Sequence, residues 1–176
     1  MARTGIYMKG LLAILGSALI GLMLVTGADA ANPEPVTVGM DFVDPISITP
    51  VNQLQFGVLD VALNLETIII ATNDGVSGTG TALILGGTQA AADLTVTATA
   101  SQSISILVDN PLPGTGYTLG TFRCKYGGGA DTACDPAYTA TAVASATLKI
   151  GATLTGTNSA SAGNADGSFY VTIVYQ

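Results

Sequence analysis

The chain has 176 residues, carries 5 Lys+Arg against 12 Asp+Glu, and contains neither histidine nor tryptophan. Without histidine there is no imidazole base, no Ser-His or Cys-His couple and no imidazole metal ligand, which removes the commonest catalytic and zinc-site designs. Binding to a phosphate backbone needs clustered Lys and Arg, so nucleic acid is not an expected partner.

Reading from the start, Arg3 and Lys9 form a positive region, Gly10 to Thr26 an apolar run, and Ala28-Asp29-Ala30 a small-residue cleavage site. That order predicts a secretory signal peptide over residues 1–30, cut after Ala30. The competing reading is a membrane anchor, but an apolar run of about 16 residues is marginal for a span. No cysteine follows the run to accept a lipid, so the mature form, 31–176, is expected to be free of the membrane. It keeps Arg123, Lys125 and Lys149 as its cations against eleven carboxylates, a strongly acidic balance. Its length suits one domain.

The mature chain opens on Asn32-Pro33-Glu34-Pro35, which favours an extended, exposed start. Val36, Val38, Met40 and Phe42 then fall on one face and Thr37, Gly39 and Asp41 on the other, before Pro45 breaks the run. The blandest reading makes this the first strand of the domain. The alternative is a detachable amphipathic strand, with residues 31–44 as an N-terminal donor extension and 45–176 as the folded domain.

No helical periodicity longer than a turn follows; the best stretch is Thr88 to Asp93. Runs rich in Val, Ile, Thr, Leu and Tyr recur instead between Gly, Asn, Asp and Pro clusters. The predicted strands are Ile46 to Thr49, Leu54 to Leu63, Thr67 to Thr72, Thr81 to Leu85, Leu94 to Thr99, Ser103 to Val108, Tyr117 to Tyr126, Tyr138 to Ile150 and Ser168 to Tyr175. Leu94, Val96 and Ala98 alternate with Thr95, Thr97 and Thr99, and Ile104 and Ile106 with Ser103 and Ser105. One face is therefore apolar and the other carries small hydroxyls, the pattern of antiparallel sheets with one solvated side. The expected fold class is all-β, a sandwich or barrel.

Cys124 and Cys134 are the only cysteines. An exported chain with an even count most simply pairs them. A redox motif fits less well, because nine residues separate them and no helix carries the first thiol. In the last predicted strand Phe169, Val171, Ile173 and Tyr175 alternate with Tyr170, Thr172 and Val174. If it lies at a sheet edge, it leaves a row of backbone donors and acceptors open to another chain. An open edge and a detachable strand make a polymerising pair by β-strand addition.

The stretches Gly80-Thr81-Ala82-Leu83-Ile84-Leu85-Gly86-Gly87-Thr88, Ala90-Ala91-Ala92-Asp93-Leu94-Thr95-Val96-Thr97, Leu148-Lys149-Ile150-Gly151-Ala152-Thr153-Leu154 and Gly167-Ser168-Phe169-Tyr170-Val171-Thr172-Ile173-Val174-Tyr175 resemble a secreted bacterial domain family of unknown function, number 4402. The likeness covers Ile46 to the end, including Leu54-Gln55-Phe56-Gly57. That family is similar in organisation to the spore-coat-U-like and common-pilus subunits of chaperone-usher systems. The resemblance implies an incomplete immunoglobulin-like β-sandwich completed by a donor strand. It further implies a periplasmic chaperone, an outer-membrane usher and a surface filament (fimbrium) of a Gram-negative-type bacterium, in which copies of the chain join as a homopolymer. Pilins of that class end in a strand whose penultimate aromatic the chaperone engages, a role carried here to Tyr175. The loop Gly127 to Asp135 with its cysteines departs from the simplest members.

Other candidate chemistry is thin. Asp74-Gly75 and Asp166-Gly167 read as turns rather than calcium loops, since neither continues into an EF-hand spacing. Asp131 and Asp135 beside the glycines at 127–129 are two carboxylates for a weakly held cation. The glycines at 78–80 and 86–87 precede no helix that could take a phosphate. Lys149 sits in an alternating strand with no S-x-x-K before it. No catalytic, cofactor-binding or metal-ligating residue is expected, and no cofactor. The expected function is a structural filament subunit whose Val36, Val38, Met40 and Phe42 fill a groove beside a neighbour's last strand. The alternative is a self-complete secreted binding module, an adhesin or coat domain; an enzyme is not expected.

Overall fold

The computed structural model describes residues 39–112, 114–157, 161–163 and 167–176. The predicted signal peptide and two of the predicted donor residues, Val36 and Val38, lie outside the described residues.

The longest strand organises the rest. β11 (Ser145–Gly156) pairs along one side with β8 (Tyr117–Tyr126) and along the other with two partners in succession. Its first half takes β6 (Ala92–Thr97) and its second half β3 (Thr67–Ile70), so Ile150 faces Ala92 while Ala152 faces Ile70. Gly151 sits at this fork. A Cβ there would lie 2.2 Å from the Ile70 carbonyl oxygen, so only glycine lets the backbones approach. β1 (Ser47–Asn52) extends the sheet beyond β6, β4 (Val76–Ser77) beyond β3 and β9 (Thr132–Ala133) beyond β8. The second sheet has three strands, with β7 (Ser103–Leu112) between β10 (Tyr138–Thr141) and β12 (Ser168–Tyr175). A short ribbon, β2 (Val58–Leu59) with β5 (Ile84–Gly86), and a single 3-10 turn at Thr81–Leu83 complete the described elements. All pairings are antiparallel.

The two larger sheets pack as a sandwich because each strand alternates as its sequence dictates. Leu94 and Val96 of β6, Ile104, Ile106 and Val108 of β7, and Leu148 and Ile150 of β11 meet in one core. A second cluster of Leu63, Ile68, Ile70, Ala91 and Leu154 sits under β3. β8 changes phase to join the main core. Tyr117 and Leu119 are partly buried, but the fully buried residues that follow are Phe122, Cys124 and Tyr126. Between the pairs Gly120–Thr153 and Arg123–Gly151, the two residues Thr121 and Phe122 stand opposite the single Ala152, and this bulge, with Thr121 at φ 49°, allows the switch.

Three predicted strands are corrected. Tyr138 to Ile150 is two strands in different sheets, β10 and β11, separated at residues 142–144. Leu54 to Leu63 is not a strand: it keeps one bridge, Gln55 to Ala90, and the two residues of β2. Gly57 at φ 84° and an Asp60 side-chain turn to the Ala62 amide interrupt it. Thr81 to Leu85 begins as the 3-10 turn. Both β7 and β11 run past their predicted ends at Val108 and Ile150. Residues Phe42–Gln176 make one compact unit; in the other, Met1–Asp41, the described residues 39–41 carry no regular structure.

Candidate assembly edge

The sandwich has two flanks of different construction. On the first, Cys124 of β8 is bonded to Cys134, with 5.7 Å between their Cα atoms. The Cys134 carbonyl accepts from Val108 N of β7 at 3.0 Å, and its own amide donates to the Phe122 carbonyl at 3.3 Å. The residues around Cys134 therefore bridge both sheets. Arg123 and the loop residue Asp131 form an ion pair, and Thr72 Oγ1 donates to Asp131 at 2.7 Å. That carboxylate is thus committed to protein partners rather than to the cation considered above; among the described residues no group of three or more carboxylates or thiols stands close enough to hold a metal. The disulfide is consistent with secretion into an oxidising compartment.

Among the described residues the second flank is bounded by β1 and β12, each the end strand of its sheet, and the two do not pair with each other. The chain from Asp44 runs along this flank, through β1, the Gln55 bridge and β2, to Leu63, whose carbonyl lies against Gly156. β12 runs the opposite way, from Ser168 beside the end of β7 to Tyr175 beside its start. Ile46, Ile48, Leu54 and Phe56 on one lip, and Phe169, Val171 and Tyr175 on the other, touch the core while remaining partly exposed. Of the four predicted edge residues, Ile173 alone is buried, at 8% exposure. Phe169 packs on Phe122 with ring centroids 5.1 Å apart. An open cleft of about 440 Å³ lies between residues 43–46 and 173–175.

One pole of this flank is tied by a hydrogen-bonded ring. The Asp44 amide donates to Thr99 Oγ1 at 2.7 Å, the Thr99 amide to the Tyr175 hydroxyl at 2.7 Å, and that hydroxyl to the Asp44 carbonyl at 2.8 Å. Upstream of the ring, Phe42 is 86% exposed, and Met40 is exposed as well. Neither is in a strand.

Two groups escaped the reading of the sequence. Asp74 lies in the β3–β4 turn as expected, at φ 65°, but its carboxylate also accepts from the Ala91 amide at 2.9 Å and from Lys149 at 3.1 Å. Lys149 stands 3.2 Å from Asp93 as well. The Ala91 amide first and Lys149 second hold the Asp74 carboxyl below its usual range. Burial pulls Lys149 down, but its bonds to Asp74 and Asp93 outweigh this and raise it. The second group is Tyr138, whose buried hydroxyl has no hydrogen-bond partner among the described residues and lies beside a cavity of about 510 Å³ under the loop at 127–130. Burial, then the neighbouring Tyr126, push its phenol up to about 12. The turn chemistry of Asp-Gly hid the first role, and nothing in the local sequence signals the second.

These features define an antiparallel β-sandwich in which, among the described residues, one flank is sealed and the other is open. The chain belongs to the family described as Domain of unknown function (DUF4402), whose profile matches residues 46–175. No curated protein and no solved structure matches it.

Proposed function

We propose that the chain is a structural subunit of a secreted surface filament, in which the N-terminal extension of one copy adds as a strand to the open flank of the next. The observation that carries this reading is the pair of unpaired edges, β1 and β12, with half-covered apolar residues between them. Val36, Val38, Met40 and Phe42 have the period that such a groove accepts. Burying four such side chains contributes on the order of 6 to 10 kcal/mol before ordering costs.

The polarity follows from where the extension starts. It joins its own domain at Asp44, the pole of the Tyr175 end of β12. An open linear polymer has to connect this pole of one copy to the opposite pole of the next. The donor therefore enters beside Phe169 and runs antiparallel to β12, with Phe42 near Phe169 and Val36 near Tyr175. In this reading the exposed edge also gives a periplasmic chaperone and an outer-membrane usher something to hold before assembly, with Tyr175 at its end. The chain is not an enzyme in this account.

The test uses the mature chain carrying Val38→Asp and Met40→Asp, which cannot donate but can accept. The parent chain is expected to form multimers by size exclusion with light scattering, and the variant to stay monomeric. A synthetic peptide of residues 31–43 then raises the variant's Tm saturably, by linkage equivalent to about 2.7 kcal/mol at one hundred times Kd. A monomeric parent and an unresponsive variant would overturn the proposal. The second reading, a self-complete binding module, would then rest on the cavity beside Tyr126 and Tyr138.

A further inference from the structure

We infer that Tyr175 is a positioning residue that commits the N-terminal extension to a second copy by denying it the groove of its own domain, an inference that rests on the donor-strand reading. Any chain that carries both a donor strand and the groove for it can complete itself and leave the polymer. Something in the fold has to disfavour that outcome, and the ring at the pole has the geometry to do so.

Ser47 is paired opposite Thr97, and Asp44 N reaches Thr99 Oγ1, so residues 44–46 continue the line of β1 beside the end of β6. Pro45 adds to this, because the residue before a proline is pushed to extended conformations. The Tyr175 hydroxyl holds the Asp44 carbonyl from the side of the other sheet. The chain is thereby fixed in line with β1 at the point where it would have to reverse. To enter its own groove it must turn back immediately upstream of Asp44, and the tightest strand reversal takes two residues. Those two are Phe42 and Val43, so one of the four donor side chains is spent in the turn. The strand so formed would also run parallel to β12, opposite to the orientation the polymer uses. A second copy pays neither cost, since its four donor residues arrive from the other pole.

The ring is a local lock with a minimal key. Tyr175→Phe removes one oxygen, leaves the ring system on the core, and frees the Asp44 carbonyl and the Thr99 amide. Loss of the lock lets the extension fold back, and the monomer becomes self-completed.

The experiment compares three mature, full-length chains: the parent, Tyr175→Phe, and Tyr175→Phe combined with Val38→Asp and Met40→Asp. Multimer distribution is read by light scattering, and groove occupancy by the Tm shift on adding the peptide of residues 31–43. The expected result is a parent that multimerises, a Tyr175→Phe chain that is at least tenfold depleted in multimers and shows no peptide shift because its groove is already filled, and a triple variant that is monomeric with the shift restored. A Tyr175→Phe chain that multimerises like the parent overturns the inference and leaves donor-strand assembly standing. A monomeric Tyr175→Phe chain that still responds to peptide has an empty groove and overturns it too. If the parent is monomeric and the Val38→Asp, Met40→Asp chain ignores peptide, the functional proposal itself falls. Should Tyr175→Phe lose its folded baseline, Thr99→Val breaks the ring at the Asp44 amide and is judged by the same two readings.

Discussion

The two flanks of this sandwich face the same problem, how to close the gap between two sheets, and solve it in opposite ways. The Cys124–Cys134 flank uses a covalent bond, two backbone hydrogen bonds that join Cys134 to β7 and β8, and an ion pair from Arg123 to Asp131. The β1–β12 flank has a hydrogen-bonded ring at one pole, and below it side chains that touch the core while staying partly exposed. On the donor-strand proposal, the flank that carries no such seal among the described residues is the one a neighbour's extension would close.

That contrast is sharpest in the core. Ile150→Ala, at a site with no exposure, is expected to cost about 2–5 kcal/mol in denaturant unfolding. Val171→Ala on the open lip is expected to cost about 1 kcal/mol or less in the non-donating monomer, because its side chain already meets solvent. On the donor-strand proposal, the Val171 penalty is expected to rise in multimers, where the donor would cover it. Equal costs in monomer and multimer would mean that the flank is already complete.

Removing the seal is the next largest effect. Cys124→Ala with Cys134→Ala opens a loop whose closure contributes roughly 3 kcal/mol on the chain-entropy argument. The loss should appear as a lower denaturation midpoint with multimerisation of the remaining folded chain intact, since the groove lies on the other flank. A disulfide-free chain that folds but no longer multimerises would break the separation of the two flanks.

How far the sequence foretold this varies with the kind of interaction. Strands β8 and β12 coincide with the runs Tyr117 to Tyr126 and Ser168 to Tyr175, because their turn residues bracket them cleanly. The split of Tyr138 to Ile150 was illegible, since Ala142, Val143 and Ala144 carry no turn signal; the break comes from β10 and β11 belonging to different sheets. Leu54 to Leu63 has strand composition but too few partners at the edge to pair along its length. The edge position of β12 could be posed as a condition but not read, because edges are a property of sheet order. Least legible was the ring, which joins residues separated by up to 131 positions through two hydroxyls and three backbone groups.

The sealed flank also hides a titratable group. The Tyr138 phenol is buried, so its folded pKa lies near 12 against an ordinary value of 10.0. A raised value means that the stabilisation is whole below the unfolded pKa and is lost as pH climbs toward the folded one. Tm should therefore decline between about pH 10 and 12, and Tyr138→Phe should flatten that decline. A profile unchanged by the substitution would show that the phenol is not held in an apolar setting.

The smallest effect belongs to neither flank and serves as the control for both. Asp74, Lys149 and Asp93 lie on the outer face of the larger sheet, tying the β3–β4 turn to β11 and β6. Asp74 has a lowered pKa, so its contribution is present above the unfolded carboxyl value, near 3.8, and disappears as pH falls through the folded value. Exposed ion pairs of this kind contribute about 0–1 kcal/mol, and added salt screens them. Asp74→Asn should lower Tm slightly at pH 7, flatten its fall below about pH 4, and leave both multimerisation and the peptide response untouched. If it instead altered assembly, the outer face of the sheet would have to join the open flank as part of the interface, and the division of labour between the flanks would no longer describe the molecule.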